Sequence, residues 1–286
     1  MWVADTGKSN AYYKVRKMAL SSLVHLSLIA VAILCIYPLL WMVASSLKTQ
    51  ETVFSHASLI PYRPHFENYI IAWRAGGFGR YFFNTIFYTA AVVFGTVIVA
   101  SLAAYAFARF RFPGRKVLFV VFLAAMMIPI PGSFVALFVL LNKLHLRDTP
   151  LGYILCMINA GLAMSIFLLK TSFDAMQKDL EDAALIDGCS KIGIWWHVAL
   201  PSARPMIAVV VIINALNVWN EYLLAMIIFD SKNLMPLQRA LMMFQGEFLT
   251  NYPLLMAGLT ITTLPIIVVY LLMQKYIVKG VASVVG

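Results

Sequence analysis

One carboxylate stands alone in an apolar stretch that runs from residue 205 to residue 229: Glu221. An ionised group near the bilayer centre costs on the order of 2.5 to 3.5 kcal/mol, so something on the protein must compensate it. Asn214, Asn217 and Glu221 lie three and four residues apart, which places them on one face of a helix, and Asn220 is adjacent. Such a stripe has two uses. In an aqueous cavity its amides and carboxylate can hydrogen-bond a hydroxyl-rich solute, and inside a bundle they can hold helices together. The expectation adopted for Asn214, Asn217, Asn220 and Glu221 is a translocation pathway.

Other chemistry is poorly represented. The sequence has no His-Glu-x-x-His and no Gly-x-Ser-x-Gly pattern, so neither a zinc hydrolase nor a serine hydrolase is indicated. Cys35, Cys156 and Cys189 are scattered without Cys-x-x-Cys spacing, which argues against a disulfide framework and a metal site alike. Gly7-Lys8-Ser9 resembles the end of a phosphate-binding loop, but the first glycine of that loop is replaced by Trp2. The chain is expected to have no catalytic residues, no metal and no cofactor of its own.

The elements that position these residues follow from where charge is missing. The chain of 286 residues is 62% hydrophobic and 12% charged, against about 25% charged in ordinary soluble domains. Six stretches are free of Asp, Glu, Lys and Arg apart from Glu221: 18–47, 81–108, 117–142, 149–169, 205–229 and 248–274. About 20 residues of helix cross a hydrocarbon core, and the runs lack the two-residue alternation of a membrane barrel. An all-α integral membrane protein with six transmembrane helices is predicted, as a single domain over 1–286. The first run is too long for the apolar region of a signal peptide and reads as an uncleaved span.

Orientation follows from Lys and Arg. With the N-terminus inside, fourteen of the 22 basic residues fall in cytoplasmic segments, the side on which positive loops are retained. Both termini are therefore expected in the cytoplasm. The net charge of +10 then reads as a topology signal with some attraction to anionic headgroups, not as a nucleic-acid surface.

Between the spans, the outer segment 48–80 carries Phe66, Tyr69, Ile70 and Trp73 at helical spacing, as expected of a helix lying at the interface or packed on the ends of the spans. Pro38, Pro129, Pro131 and Pro265 should kink or interrupt their spans. The cytoplasmic loop 170–204 is long enough to need structure of its own. Its stretch Asp179–Asp187 opens with acids, which suit a helix N-terminus, and stops at Gly188, suited to a left-handed end. A second amphipathic stretch, Ile192–Leu200, should stop at Pro201. Two short helices joined at a glycine are predicted.

At this loop the sequence resembles the importer permeases of the ATP-binding-cassette (ABC) class. Their cytoplasmic signature is Glu-Ala-Ala, three residues, Gly, nine residues, Ile, one residue, Leu-Pro. Here Asp182-Ala183-Ala184, Gly188, Val198 and Leu200-Pro201 keep every spacing, with Asp for Glu and Val for Ile. Ser46-Leu47-Lys48-Thr49, Glu51, Pro61, Asn68-Tyr69, Trp219-Asn220-Glu221, Gln274-Lys275-Tyr276 and Lys279-Gly280 look like the carbohydrate-uptake branch, in particular the smaller, six-span subunit of a maltose-type pair. Gln177 departs from the pattern, since relatives often have proline there.

The resemblance implies a type I importer bundle in a bacterial cytoplasmic (inner) membrane. Glu181, Asp182, Ala183, Ala184, Asp187 and Gly188 would couple to a separate ATPase, tied through Val198, Leu200 and Pro201 to the fifth span. It further implies a second homologous permease, two ABC ATPase subunits binding ATP and Mg, and an extracytoplasmic solute-binding protein touching Gln245, Gly246 and Glu247. An ion-coupled secondary transporter using Glu221 is the alternative, although no paired internal repeat is evident. The sequence does not identify the carbohydrate.

Overall fold

The computed structural model describes residues 6–55, 58–74, 77–127, 133–245 and 250–285, and among these the regular structure is entirely helical. The helices that matter below are α1 (Thr6–Ser46), α2 (Glu67–Arg74), α3 (Phe78–Arg109), α4 (Arg115–Met127), α5 (Ser133–Lys143), α6 (Pro150–Ala175), α7 (Lys178–Ile186), α8 (Lys191–Ser202), α9 (Arg204–Asn220), α10 (Leu223–Ile228) and α11 (Tyr252–Val285). They form two compact units, Met1–Ala72 with Phe248–Thr260, and Trp73–Glu247 with Ile261–Gly286.

In the first unit, α1 presents an apolar surface along its membrane-length part, with Leu26 and Leu34 at 68% and 76% exposure. The surface is suited to lipid or to a partner's helices, because hydrocarbon does not penalise it as water would. The C-terminal carbonyls of α1 lack partners within the helix. Asn68 supplies them, its amide donating to the carbonyls of Ser46 (2.8 Å) and Lys48 (3.0 Å), while the Tyr69 hydroxyl meets that of Ser46 at 2.6 Å. Distant residues of the sequence pattern, Ser46 to Lys48 and Asn68-Tyr69, are thus one clasp. Gln50 acts similarly on the start of α11, donating to the Thr250 carbonyl and accepting from the Tyr252 N–H.

The second unit is built around α3 and α6, which make its most extensive helix pair, with α9 packed across both. Small residues allow this. Ala100 and Ala104 are fully buried one turn apart on α3, which lets backbones approach closely where apolar burial alone gives no driving force. Gly161 on α6 faces Asn214 so closely that a Cβ there would overlap the side-chain amide oxygen of Asn214, Oδ1. Thr149 caps α6 by accepting from the Gly152 N–H at 3.1 Å, ahead of Pro150 in the first turn.

Among the described residues four helices are individually long and apolar enough to cross a membrane: Lys17–Ser46, Phe78–Arg109, Pro150–Ala175 and Tyr252–Leu272. One predicted span differs from expectation, and another is described only in part. Of the stretch 117–142 the structure describes α4, of 13 residues, and α5, of 11. Pro129, Pro131 and Gly132, where an interruption is expected, lie between them, outside the described residues. The stretch 205–229 is divided. Helix α9 ends at Asn220, Glu221 is extended (φ −71°, ψ 131°), and α10 restarts the helix at Leu223.

Candidate functional site

The hairpin formed by α7 and α8 has the geometry that its sequence requires. Asp179 and Glu181 occupy the first turn of α7, where carboxylates meet the positive end of the helix dipole. Gln177 takes the N-cap position without a side-chain bond, so the helix begins where expected despite the missing proline. At the other end Gly188 has φ +81°, a conformation that costs residues with a Cβ. The Cys189 N–H bonds to the Ala184 carbonyl (2.9 Å) and the Gly188 N–H to that of Leu185 (3.0 Å), the paired bonds of a Schellman end. Ser190 then caps α8, accepting from the Gly193 N–H at 3.1 Å. A serine three residues before a helical N–H is a readable capping signal, and sequence reasoning passed over it.

Pro201 does not stop α8, which continues to Ser202. The five residues Trp195–Ala199 form a π turn, with the Leu200 N–H bonding to the Trp195 carbonyl. That wider turn removes the clash a proline ring would make in a regular helix. The direction changes two residues later, and α8 and α9 meet at 81° across Ala203. Val198, Leu200 and Pro201 are half-buried, whereas Ala199 and Ala203 are fully buried at this corner.

The two sides of the hairpin have different chemistry. Ala184, Ile194 and Trp195 turn inward and share a core with Ala104, Phe107 and Phe173. Glu181 also turns inward, to Arg109 at the end of α3, with 2.6 Å between Oε1 and Nε. From its Nη2 the Arg109 guanidinium donates to the carbonyl of Met176, just past α6 (2.6 Å). On the other side Asp182, Ala183 and Asp187 are exposed. Beside them Ile186 is 86% exposed and Leu185 51%, and Ile192 and Trp196 of α8 are also exposed. Of the two alanines of the signature, Ala183 points outward and Ala184 inward. Arg109 entered the sequence reading only as a topology charge, because its partner lies 72 residues away in sequence.

The predicted polar stripe divides when placed in three dimensions. Asn214 is buried at 3% exposure; its amide donates to the Ser165 hydroxyl (3.0 Å) and the Val210 carbonyl (2.8 Å), inside the packing of α6 and α9. Asn217 and Asn220 are exposed. Glu221 does not share their helix, because the helix has ended. Its carboxylate accepts from the N–H groups of Leu224 (2.6 Å) and Ala225 (3.0 Å), and Tyr153 Oη lies 3.5 Å away. The acid therefore satisfies orphan donors that the break exposes at the start of α10. Trp219, in the same motif, donates to the Thr262 carbonyl of α11 at 3.0 Å, three residues ahead of Pro265.

Gln245 is exposed, and Gly246 and Glu247 lie outside the described residues. The segment leading to Gln245 is pinned to α3. Asn84 donates to the carbonyls of Asn233 and Met235, Tyr88 donates to that of Leu234, and the Thr85 hydroxyl accepts from the Leu237 N–H. Before it, Asp148 ties the end of α10 to the turn ahead of α6, accepting from the Ser231 hydroxyl and from the N–H groups of Asp230 and Ser231. The Ser231 hydroxyl foremost, then its N–H, hold the Asp148 carboxyl below the usual carboxylate range. Arg147 pairs with Asp230 at 2.7 Å.

This arrangement, a membrane bundle with an exposed helical hairpin, matches one class of proteins. The model of the binding-protein-dependent transport system inner membrane component matches residues 96–283. The chain belongs to that family, and is a multi-pass inner-membrane protein. It is 37% identical over 258 residues to the probable ABC transporter permease YurM of Bacillus subtilis, covering 90% of this chain and 84% of that one. It is 31% identical to the diacetylchitobiose uptake system permease NgcG of Streptomyces coelicolor (91% and 86% covered) and 29% identical to the arabinooligosaccharide permease AraQ of B. subtilis (87% and 89%). Among solved structures, a bacterial ABC transporter that imports the acidic polysaccharide alginate has a chain of the same fold, with a TM-score of 0.80 at 23% identity, covering 97% of this chain and all of that one. The resemblance to ABC importer permeases is borne out.

Proposed function

We propose that this chain is one permease subunit of an ATP-driven carbohydrate importer, its solute an oligosaccharide. Relatives named for diacetylchitobiose and arabinooligosaccharides support that solute class. On this reading the stretches 117–142 and 205–229 also cross, giving six spans in all with both termini in the cytoplasm. A second homologous permease completes the pathway, an extracytoplasmic binding protein delivers the solute, and two ATPase subunits bind ATP and Mg. A structure of the alginate transporter with its solute-loaded periplasmic protein supports the binding protein as a partner.

The observation that carries the coupling role is the outward face of the hairpin. Ile186 and Leu185 are exposed beside Asp182 and Ala183, on a helix too short and too charged to lie in the hydrocarbon core. Apolar side chains held out in water are the signature of a partner surface. When the ATPase pair closes, a helix seated in it is displaced, and α8 passes the displacement through the corner at Ala203 into α9. Asn217 and Asn220, at the far end of α9, are the pathway groups that such a movement would reach.

The test is proximity. In a chain with Cys35, Cys156 and Cys189 replaced, Ala183→Cys should cross-link to an ATPase subunit through a short bifunctional thiol reagent, and Leu34→Cys on α1 should not. Absence of any cross-link from position 183 in an assembled complex would overturn the coupling role.

A further inference from the structure

We propose that Arg109 and Glu181 are positioning residues for coupling, a second route by which movement of α7 reaches the membrane. The proposal rests on the docking role given to the hairpin above. Along the backbone, α8 and the corner at Ala203 lead to α9. The arginine leads elsewhere, because three elements end on one guanidinium. Arg109 is the last residue of α3, its Nε lies 2.6 Å from Glu181 in the first turn of α7, and its Nη2 lies 2.6 Å from the Met176 carbonyl that follows α6.

The surroundings are built for this contact. The two side chains are 9% and 14% exposed, so solvent screening is weak and each charge depends on the other. Tyr105, one turn back on α3, packs edge-on against Phe173 of α6 and Phe110 beside Arg109. Lys191, at the start of α8, lies over the Phe110 ring at 4.9 Å, and Arg115 donates to the Phe110 carbonyl. The charges on the open side of α7, Asp182 and Asp187, point away from this contact. One arginine thus serves the end of α3, the end of α6 and the beginning of α7. Lysine, with a single compact ammonium, cannot reproduce the planar two-direction contact.

The experiment uses the complete transporter in proteoliposomes and reads three quantities: ATPase subunit retained by the permease, solute-stimulated ATP hydrolysis over basal, and solute moved per ATP. Arg109→Gln and Glu181→Gln should each lower stimulation about tenfold while retaining ATPase subunit at the wild-type level. Arg109→Lys should recover only part of it. The doubly neutral R109Q/E181Q permease carries no uncompensated charge, and its defect should be no larger than that of either single variant.

Additive losses in the double variant would overturn the proposal, because they mean that the two residues act independently. So would loss of bound ATPase in step with stimulation, which would reduce the pair to a scaffold for the docking face. A wild-type permease that retains no ATPase subunit overturns the function proposed above instead, and is recognised before any variant is compared.

Discussion

Replacing Ile186 by alanine isolates the docking surface from the fold. In this chain the side chain is 86% exposed, so shortening it removes almost no contact that α7 makes with its own bundle. Burying an isoleucine fully is worth about 1.5 to 3 kcal/mol, and alanine retains the first carbon. The expected loss on docking is therefore about 1 to 2 kcal/mol, or roughly 5- to 30-fold in affinity for the ATPase subunit. The assay is titration of ATPase subunit onto permease in nanodiscs, with thermal stability measured in parallel. Leu34→Ala is the control: Leu34 is 76% exposed, but on a helix of membrane length where no water is displaced. Stability should be unchanged in both variants and affinity should fall only in the first. An unchanged affinity for Ile186→Ala, or an equal fall for Leu34→Ala, would refute the reasoning.

Further outcomes follow from other contacts. Gly188→Ala must hold a Cβ at φ +81°, costing about 1 to 2 kcal/mol, and should lower solute-stimulated ATPase activity without affecting membrane insertion. Gly161→Ala drives a methyl group into the side-chain Oδ1 of Asn214, and should lower the melting temperature of the purified permease, with Asn214→Ala relieving part of the loss. Glu221→Gln keeps one acceptor for the N–H groups of α10 and should retain most uptake, whereas Glu221→Ala leaves both donors unmet; an ion-coupling carboxylate would instead be silenced by glutamine. Asp148, with its carboxyl held low by Ser231, contributes stability that is present above its unfolded value of about 4 and lost as pH falls through the lower folded value. Unfolding midpoints should therefore be insensitive to Asp148→Asn between pH 5 and 8 in their pH dependence, and differ from wild type in acid-dependence only below about pH 4.

The hairpin of α7 and α8 was legible because its signals are local. Acids in the first turn, Gly188 at the end and fixed spacing to Leu200-Pro201 are all read within a few residues. Pro201 misled because a proline stops a regular helix, and the π turn ahead of it was not signalled by any residue type. Four of the six apolar lengths are helices of crossing length among the described residues, and the break at Glu221 was not legible. Glu221 was read as a charge on a helix face, when the same carboxylate satisfies backbone groups only if the helix has already ended. The Asn68 clasp on α1 and the Arg109 contact with Glu181 join residues far apart in sequence, and neither periodicity nor composition reports such pairs. Asn214 packs between α6 and α9 because Gly161 opens room for it on the facing helix.

At the joint between α7 and α8 the Schellman bonds close one helix and Ser190 opens the next. For the docking proposed above, this means that the segment meets its partner already in shape. Little freedom remains to be lost on contact, so repeated seating and release during turnover would not involve folding and unfolding of the hairpin.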